Sequence, residues 1–331
     1  MQYVQFGNTG MEVSRFCLGA MTFSRQLDLA GSQRVVDEAI ERGVNFIDTA
    51  ESYGESEEFL GKILEGRRDN IYLATKVYNK RARDKHAARN SRQNIIFSLE
   101  RSLRLLKTDH IDLYQLHHPD AQTPIEETLS TLDQLVKQGK IRYIGVCNHY
   151  AWQMAYMIGL ANTFQWEPIV SIQCRYNILD RPIEVETVPM SRKFNLAIMA
   201  YGPLCGGVLS GKYQRNQPPP EGTRAAKDKT LQQLLDNPKT FDVLEKLNEI
   251  AKRNSLALNE LAILWMIGKP YITTPILGGS KPEHFRTIYD IADKSLLEAD
   301  VKAIDQLSAD FVYRQFQNQP VKEGPALAEQ W

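Results

Sequence analysis

Short apolar runs alternate with longer amphipathic segments along the whole chain. The segment "SQRVVDEAIERG" (32–43) opens on serine, stops at glycine and places apolar residues at helical spacing. The same pattern predicts further helices at 91–106, 124–140, 151–162, 185–194, 242–253, 258–268 and 281–292. The apolar runs predict eight strands: Arg15–Gly19, Val44–Asp48, Ile71–Lys76, Ile111–His117, Ile141–Cys147, Val170–Gln173, Ala197–Tyr201 and Ile272–Leu277.

Eight strands, each followed by a helix, indicate a parallel sheet. Periodicity alone fits both an open doubly wound sheet and a closed barrel. The repeat runs unbroken through eight units, and no strand–GxGxxG–helix unit lies near the start. We therefore predict an α/β fold, a (β/α)8 TIM barrel, as a single domain over residues 1–331.

One segment interrupts the alternation. Residues 212–241 are long, polar and rich in proline, and they follow the seventh strand. A functional surface loop is predicted there, because helix and strand patterns resume after it. The tail beyond about residue 310 is predicted to be irregular.

The charges of the chain balance, with 40 Lys and Arg against 40 Asp and Glu. This balance argues against nucleic acid as a partner, since binding to phosphate backbones normally needs a basic face. The most basic stretch, 80–89, is interpreted as a solvated loop.

The amino-terminal residues "MQYVQFGNTG" contain no apolar signal core, and the longest apolar run, Leu261–Ile267, is too short to span a bilayer. The four cysteines show no CxxC spacing and lie in or beside strand-like runs, as expected of small buried residues in a reducing compartment. These features predict a cytoplasmic protein with no membrane partner, and they leave the oligomeric state open.

Polar residues stand at the ends of the predicted strands. In a (β/α)8 barrel the carboxyl ends of the strands converge on one rim, where active sites lie. The residues at or just after these ends are Asp48, Tyr53, Lys76, His117, Asn148, Gln173 and Tyr201.

A specific proton-transfer chemistry follows from three of them. A phenol is a poor proton donor at neutral pH, but a neighbouring ammonium favours its deprotonated form. We expect Lys76 to lower the pKa of Tyr53, and Asp48 to pair with the otherwise costly lysine. His117 is placed to hydrogen-bond a substrate oxygen, so the group suits proton delivery to a developing alkoxide.

Such a site needs a reductant, and no redox-active side-chain pair is present, so a cofactor must supply hydride. Tyr201 offers an aromatic face for a flat ring, and Asn148 and Gln173 offer amides for a carboxamide. Residues Gly278 to Ser280, leading into a helix near Lys281, make a backbone anion site. No metal is predicted.

The motifs "FIDTAESYG", "LATK", "DLYQLHHPD", "IGVCN", "QCRYN" and "AYGPLCGGVLSGKY" occur in the order typical of the aldo-keto reductases, which the chain resembles from about residue 3 to 310. The resemblance implies a barrel that binds NADP(H), as NADPH extended across the strand ends under the 212–241 loop. It implies reduction of a small-molecule carbonyl substrate by Asp48, Tyr53, Lys76 and His117, with Tyr53 as proton donor. It also implies cofactor contacts from Asn148, Gln173, Tyr201, Gly202, Leu204, Gly206, Gly278, Ser280, Lys281 and His284.

The chain departs from the pattern of that family in three respects, which involve four positions. His118 replaces the common tryptophan or arginine, and Cys147 replaces a serine. Thr287 and Ile288 stand where many members hold adenine with glutamate and asparagine. The residues left for the 2′-phosphate of the adenosine are Ser280, Lys281, His284 and Arg286.

Three other functions compete with a carbonyl reductase. One is an NADP(H)-binding regulatory subunit with little turnover, although a pure binder need not keep the proton donor. Another is a Schiff-base aldolase that uses Lys76. The least favoured is a metal hydrolase on His117 and His118, because adjacent residues of a strand point to opposite faces.

Overall fold

The computed structural model describes residues 1–78, 89–279 and 281–312. Its strands are β1 Tyr3–Gln5, β2 Glu12–Ser14, β3 Cys17–Gly19, β4 Phe46–Asp48, β5 Tyr72–Val77, β6 Ile111–Leu116, β7 Ile141–Cys147, β8 Ile169–Arg175, β9 Ala197–Tyr201 and β10 Thr274–Leu277. Strands β3 to β10 close into a parallel barrel in the order β10-β3-β4-β5-β6-β7-β8-β9. Each barrel strand overlaps one of the eight predicted runs, so the predicted (β/α)8 fold is confirmed.

Helices alternate with the barrel strands. They are α1 Leu29–Glu41, α2 Ser56–Ile63, α3 Arg92–Leu106, α4 Ile125–Lys137, α5 Ala151–Phe164, α6 Thr187–Phe194, α7 Lys229–Asp236, α8 Pro238–Arg253, α9 Leu258–Ile267, α10 Pro282–Tyr289 and α11 Glu298–Leu307. Side chains cap several starts: Asp28 accepts a hydrogen bond from the Gly31 N–H and Ser91 from the Asn94 N–H. None of the helices in the described ranges combines the length and apolarity needed to cross a bilayer.

By internal contacts the chain divides into two compact units. The first consists of Met1–Cys174, Pro189–Tyr201 and Tyr271–Asp293, and it contains the barrel strands apart from Arg175, the last residue of β8. The second consists of Arg175–Val188, Gly202–Pro270 and the described residues from Lys294 onward.

An amino-terminal hairpin, β1 paired antiparallel with β2, packs against the barrel interior of the first unit. Its Phe6 ring meets the Phe46 ring edge-on at 5.5 Å between centroids. Gly7 makes the approach possible, because its φ is +58° and a Cβ there would lie 2.8 Å from the Ala197 nitrogen. The buried residues of this core are Phe6, Met11, Val13, Cys17, Phe46, Ala74, Leu113, Val170, Ala197, Met199 and Ile276. The sequence patterns did not predict the hairpin, whose strands are only three residues each.

The segment 212–241, which is predicted as a surface loop, is partly helical. Helix α7 lies within this segment, and α8 begins at Pro238 rather than at 242. Asp228 caps α7 by accepting hydrogen bonds from the Thr230 and Leu231 N–H groups, and Leu231 and Leu234 are buried. These leucines lie on one helical face, which is a periodicity that the surrounding prolines obscured.

The second unit has a buried ionic network. Arg181 donates to both carboxylate oxygens of Glu184, and Lys269 donates to both oxygens of Asp305 on α11. The Trp265 indole N–H also donates to Asp305, at 2.8 Å. This network fixes α11 to α9 and to the segment after β8. All four cysteines of the chain are buried, as predicted.

Candidate active site

A buried ion pair joins neighbouring strands at the rim of the barrel. Asp48 pairs in register with Ala74, so Lys76, two residues further along β5, projects to the same side. The Lys76 Nζ is fully buried and donates to Asp48 Oδ2 at 2.6 Å and to the Thr49 carbonyl at 2.8 Å. Burial alone lowers the pKa of Lys76, but the charge of Asp48 and its hydrogen bond outweigh burial and raise the pKa above its ordinary value. Lys76 is therefore an ammonium.

Tyr53 lies in the turn between β4 and α2, with its hydroxyl 3.3 Å from the Lys76 Nζ. Burial raises the pKa of Tyr53, the Lys76 charge lowers it, and the Asp48 charge raises it again. Lys76 therefore lowers this pKa as expected, but it does not bring the pKa below its ordinary value, because the net direction is upward. The cost of desolvating a phenolate exceeds the attraction of the partly neutralised ammonium. Tyr53 is consequently a neutral phenol at physiological pH.

His117 completes the group predicted from the strand ends. Its ring meets the Tyr53 ring edge-on at 5.8 Å between centroids. Burial, the Lys76 charge and His118 lower the pKa of His117 to about 3. The imidazole is therefore neutral at physiological pH, with one N–H donor and one acceptor nitrogen.

His118 does not point away from His117 as strand alternation predicts. The two rings stack at 4.7 Å with 12° between their planes. The reason is that β6 ends at Leu116, one residue before the pair, so the alternation of a strand no longer applies. No group of three or more metal-ligating side chains occurs among the residues that the structure describes.

Gln115 is a site residue that the sequence patterns missed. Its Nε2 donates to Asp48 Oδ1 at 3.1 Å, and its Oε1 accepts from the Cys147 thiol at 3.6 Å. Gln173 donates to the same Asp48 oxygen at 2.8 Å. The position of Gln115 two residues before His117, within an apolar strand, was the available signal. Both oxygens of the Asp48 carboxylate are thus held by buried donors.

Asn148 and Tyr201 are linked to this group through His117. The Tyr201 hydroxyl donates to Asn148 Oδ1 at 2.9 Å, and Asn148 Nδ2 donates to the His117 carbonyl at 3.1 Å. Asn148 adopts a left-handed backbone conformation, with φ of 60°, directly after β7. The structure therefore brings Asn148, Gln173 and Tyr201 together with the four residues predicted for catalysis.

The remaining residues predicted to bind the cofactor fall into three groups. Gly278, Lys281 and His284 are exposed where β10 passes into α10, and Ser280 lies outside the described residues. The Arg286 guanidinium already pairs with Glu38 at 3.1 Å. The others, Gly202, Leu204 and Gly206, belong to the second unit.

Similarity to known proteins agrees with this geometry. The Aldo/keto reductase family model matches residues 15–309. The uncharacterized oxidoreductase YrpG of Bacillus subtilis is 34% identical over 309 residues, covering 89% of this chain and 92% of YrpG. The aldo-keto reductase YhdN of the same organism is 31% identical, covering 93% of each chain. A probable voltage-gated potassium channel subunit beta of Oryza sativa is 31% identical, covering 85% of this chain and 88% of its own length. The chain therefore belongs to the aldo/keto reductase family of oxidoreductases.

Proposed function

We propose that the protein is an NADPH-dependent reductase of aldehydes or ketones in which Tyr53 donates the proton. The observation that carries this proposal is the contact of the buried Lys76 ammonium with the Tyr53 hydroxyl, 3.3 Å apart. A purely structural ion pair between Lys76 and Asp48 would not need a phenol in contact with the ammonium. The whole chain would act as one domain in the cytoplasm, on a small molecule rather than on nucleic acid or membrane.

Tyr53, Lys76, Asp48 and His117 each have a separate role in proton delivery. The raised pKa of Tyr53 keeps its proton in place until negative charge develops on the carbonyl oxygen of the substrate. The Lys76 charge then stabilises the phenolate left behind, and Asp48 holds that ammonium in position. The neutral His117 ring orients and polarises the carbonyl by donating one hydrogen bond.

The donor set of the first unit fits a nicotinamide dinucleotide. Tyr201 presents a half-buried ring, and its hydroxyl is fixed by Asn148. The Gln173 amide nitrogen is turned toward Asp48, so the side chain would contact a carboxamide through its carbonyl oxygen. The side chains of Lys281 and His284 are exposed at the start of α10, where each could donate a hydrogen bond to a phosphate. Bound there, the cofactor would supply the hydride. Contacts from Gly202, Leu204, Gly206 and Ser280 remain predictions.

Turnover of a generic aromatic aldehyde, followed by loss of NADPH absorbance, tests the proposal. We expect steady turnover in the wild type and a loss of at least about a hundredfold in kcat for Tyr53→Phe. The variant should still bind NADPH. Undiminished turnover in Tyr53→Phe would remove Tyr53 as the proton donor.

A second candidate is a nucleotide-binding regulatory subunit with little turnover. It is favoured by the similarity to potassium channel beta subunits. The complete group of Asp48, Tyr53, Lys76 and His117 favours the enzyme. Tight NADPH binding without turnover of any aldehyde in a broad panel would favour the subunit instead.

A further inference from the structure

An arginine guanidinium lies beside the candidate active site. Arg89 is half-buried, and its Nη1 donates to the Tyr78 hydroxyl at 2.6 Å. The guanidinium carbon also lies 4.9 Å from the centre of the Tyr78 ring. Among the described residues no carboxylate pairs with Arg89. A guanidinium has five N–H donors, so most of its capacity for hydrogen bonds is not taken up by described residues.

The nearby acids are engaged elsewhere. Asp120 accepts hydrogen bonds from the backbone N–H groups of Asn90 and Gln122 and from the Thr123 hydroxyl. Glu51 accepts from the backbone N–H of Tyr78 at 2.8 Å. Within the described part of the chain, no carboxylate therefore neutralises the charge of Arg89.

A row of aromatic rings connects Arg89 to the reacting groups. The Tyr78 ring meets the His118 ring at 4.8 Å, and His118 stacks on His117 at 4.7 Å. His118 is exposed, and its side chain makes no hydrogen bond to a described residue. Burial and then the charge of Arg89 lower the pKa of His118. The row provides an aromatic surface that begins at His117 and ends at the Arg89 cation.

We propose that Arg89, held by Tyr78 and flanked by His118, binds a carboxylate of the substrate. The favoured substrates are then aldehydes or ketones whose carboxylate is separated from the carbonyl by an extended, preferably aromatic, spacer. A carboxylate bonded directly to the carbonyl carbon is too close to that carbon, because the Tyr78 and His118 rings lie between Arg89 and His117. Arginine suits this role, since its planar fork matches a carboxylate in two parallel hydrogen bonds. The inference rests on the proposed carbonyl reductase function.

A pair of substrates of nearly equal size separates charge recognition from catalysis. These are para-formylbenzoate and its uncharged methyl ester. The measured quantity is the ratio of their kcat/KM values in the wild type, Arg89→Gln, Arg89→Lys and the control Arg92→Gln. Arg92 is a matched control because its guanidinium bonds Gln134 and Ser130, away from the aromatic row.

We expect the wild type to prefer the carboxylate by about tenfold or more, as for a hydrogen bond to a charged group. Arg89→Gln should abolish this preference, Arg89→Lys should keep part of it, and Arg92→Gln should keep all of it. High salt should reduce the preference in the wild type. An unchanged ratio in Arg89→Gln, or an equal fall in Arg92→Gln, would overturn the proposal.

Failure of the proposed function is distinguishable from failure of this inference. If the wild type reduces neither aldehyde, the reductase proposal fails. A binding measurement then tests whether Arg89 holds a carboxylate. Calorimetry with para-(hydroxymethyl)benzoate in the presence of NADP+ should then show binding to the wild type that is about tenfold weaker in Arg89→Gln. Equal binding to both proteins would contradict a carboxylate site at Arg89.

Discussion

Gln115 donates a hydrogen bond from Nε2 to the Asp48 carboxylate, at 3.1 Å from Oδ1, inside the barrel. Together with Gln173, the amide thereby shares the Asp48 charge that also acts on Lys76. Through Asp48 and Lys76 it affects the electrostatic field at the Tyr53 hydroxyl, which it does not touch. Gln115 is a positioning residue for the proposed reaction.

Replacing Gln115 should therefore change the pH dependence of catalysis. In Gln115→Leu, Asp48 loses one donor and neutralises more of the Lys76 charge, so the pKa of Tyr53 rises further. Alcohol oxidation by NADP+ needs the phenolate, and we expect its pH profile to move to higher pH by about half a unit to one unit. The control is Ser171→Ala, which removes a buried hydroxyl with no hydrogen-bond partner in the described structure. Equal midpoints in Gln115→Leu and wild type would contradict a positioning role.

The low pKa of His117 predicts a loss of stability in acid. The folded protein holds this ring neutral down to about pH 3, whereas the unfolded chain binds a proton below about pH 6.5. The unfolded state therefore binds more protons between these values, and the free energy of unfolding falls as the pH falls through this window. His149, with its pKa lowered by burial to about 4, acts in the same sense.

Thermal unfolding between pH 7 and pH 4.5 measures this effect. We expect the wild type to lose Tm over that range and His117→Phe to lose less. The slope should not vanish in the variant, because His149 remains. A steeper or equal loss in His117→Phe would show that His117 is not held neutral by the fold.

Lys281 should distinguish the two nicotinamide cofactors. Its exposed ammonium stands at the start of α10, where it can pair with the 2′-phosphate that NADH lacks. Lys281→Ala should weaken NADPH binding by about fivefold to thirtyfold and NADH binding much less. Fluorescence titration with both nucleotides gives the two dissociation constants. Equal losses would exclude Lys281 from phosphate recognition.

Gly7 offers a test of the hairpin that packs against the barrel core. In Gly7→Ala the new Cβ would lie 2.8 Å from both the Ala197 nitrogen and the Asn195 oxygen, in addition to the cost of positive φ. We expect a loss of about 2 kcal/mol or more in the free energy of unfolding. The matched control is Gly66→Ala, also at positive φ but with no atom within 4 Å of the new Cβ. It should lose only about 1 kcal/mol, so equal losses would contradict the close packing of the hairpin.

The barrel and the strand ends were predictable because parallel strands bring their carboxyl ends to one rim. Asp48, Lys76 and His117 could therefore be placed together from their positions alone. The N-terminal hairpin was not predicted, since its strands are too short for alternation to appear. Helix α7 was obscured by the prolines around it.

Other features depend on packing that local sequence does not encode. Gln115 stands in a run that otherwise looks like a buried strand, and only the fold shows that it meets Asp48. The stacking of His117 on His118 depends on where β6 ends, which patterns fix only to a few residues. The direction of the Tyr53 pKa depends on burial, which outweighs the Lys76 charge.

Single-turnover reduction of an aromatic aldehyde by Lys76→Met, with NADPH already bound, tests the central claim most directly. Without the ammonium, the phenolate left on Tyr53 loses its stabilising charge. We predict hydride transfer at least about a hundredfold slower than in the wild type, with NADPH affinity nearly unchanged. Transfer at the wild-type rate in a folded, NADPH-saturated variant would contradict the role of the Lys76–Tyr53 contact.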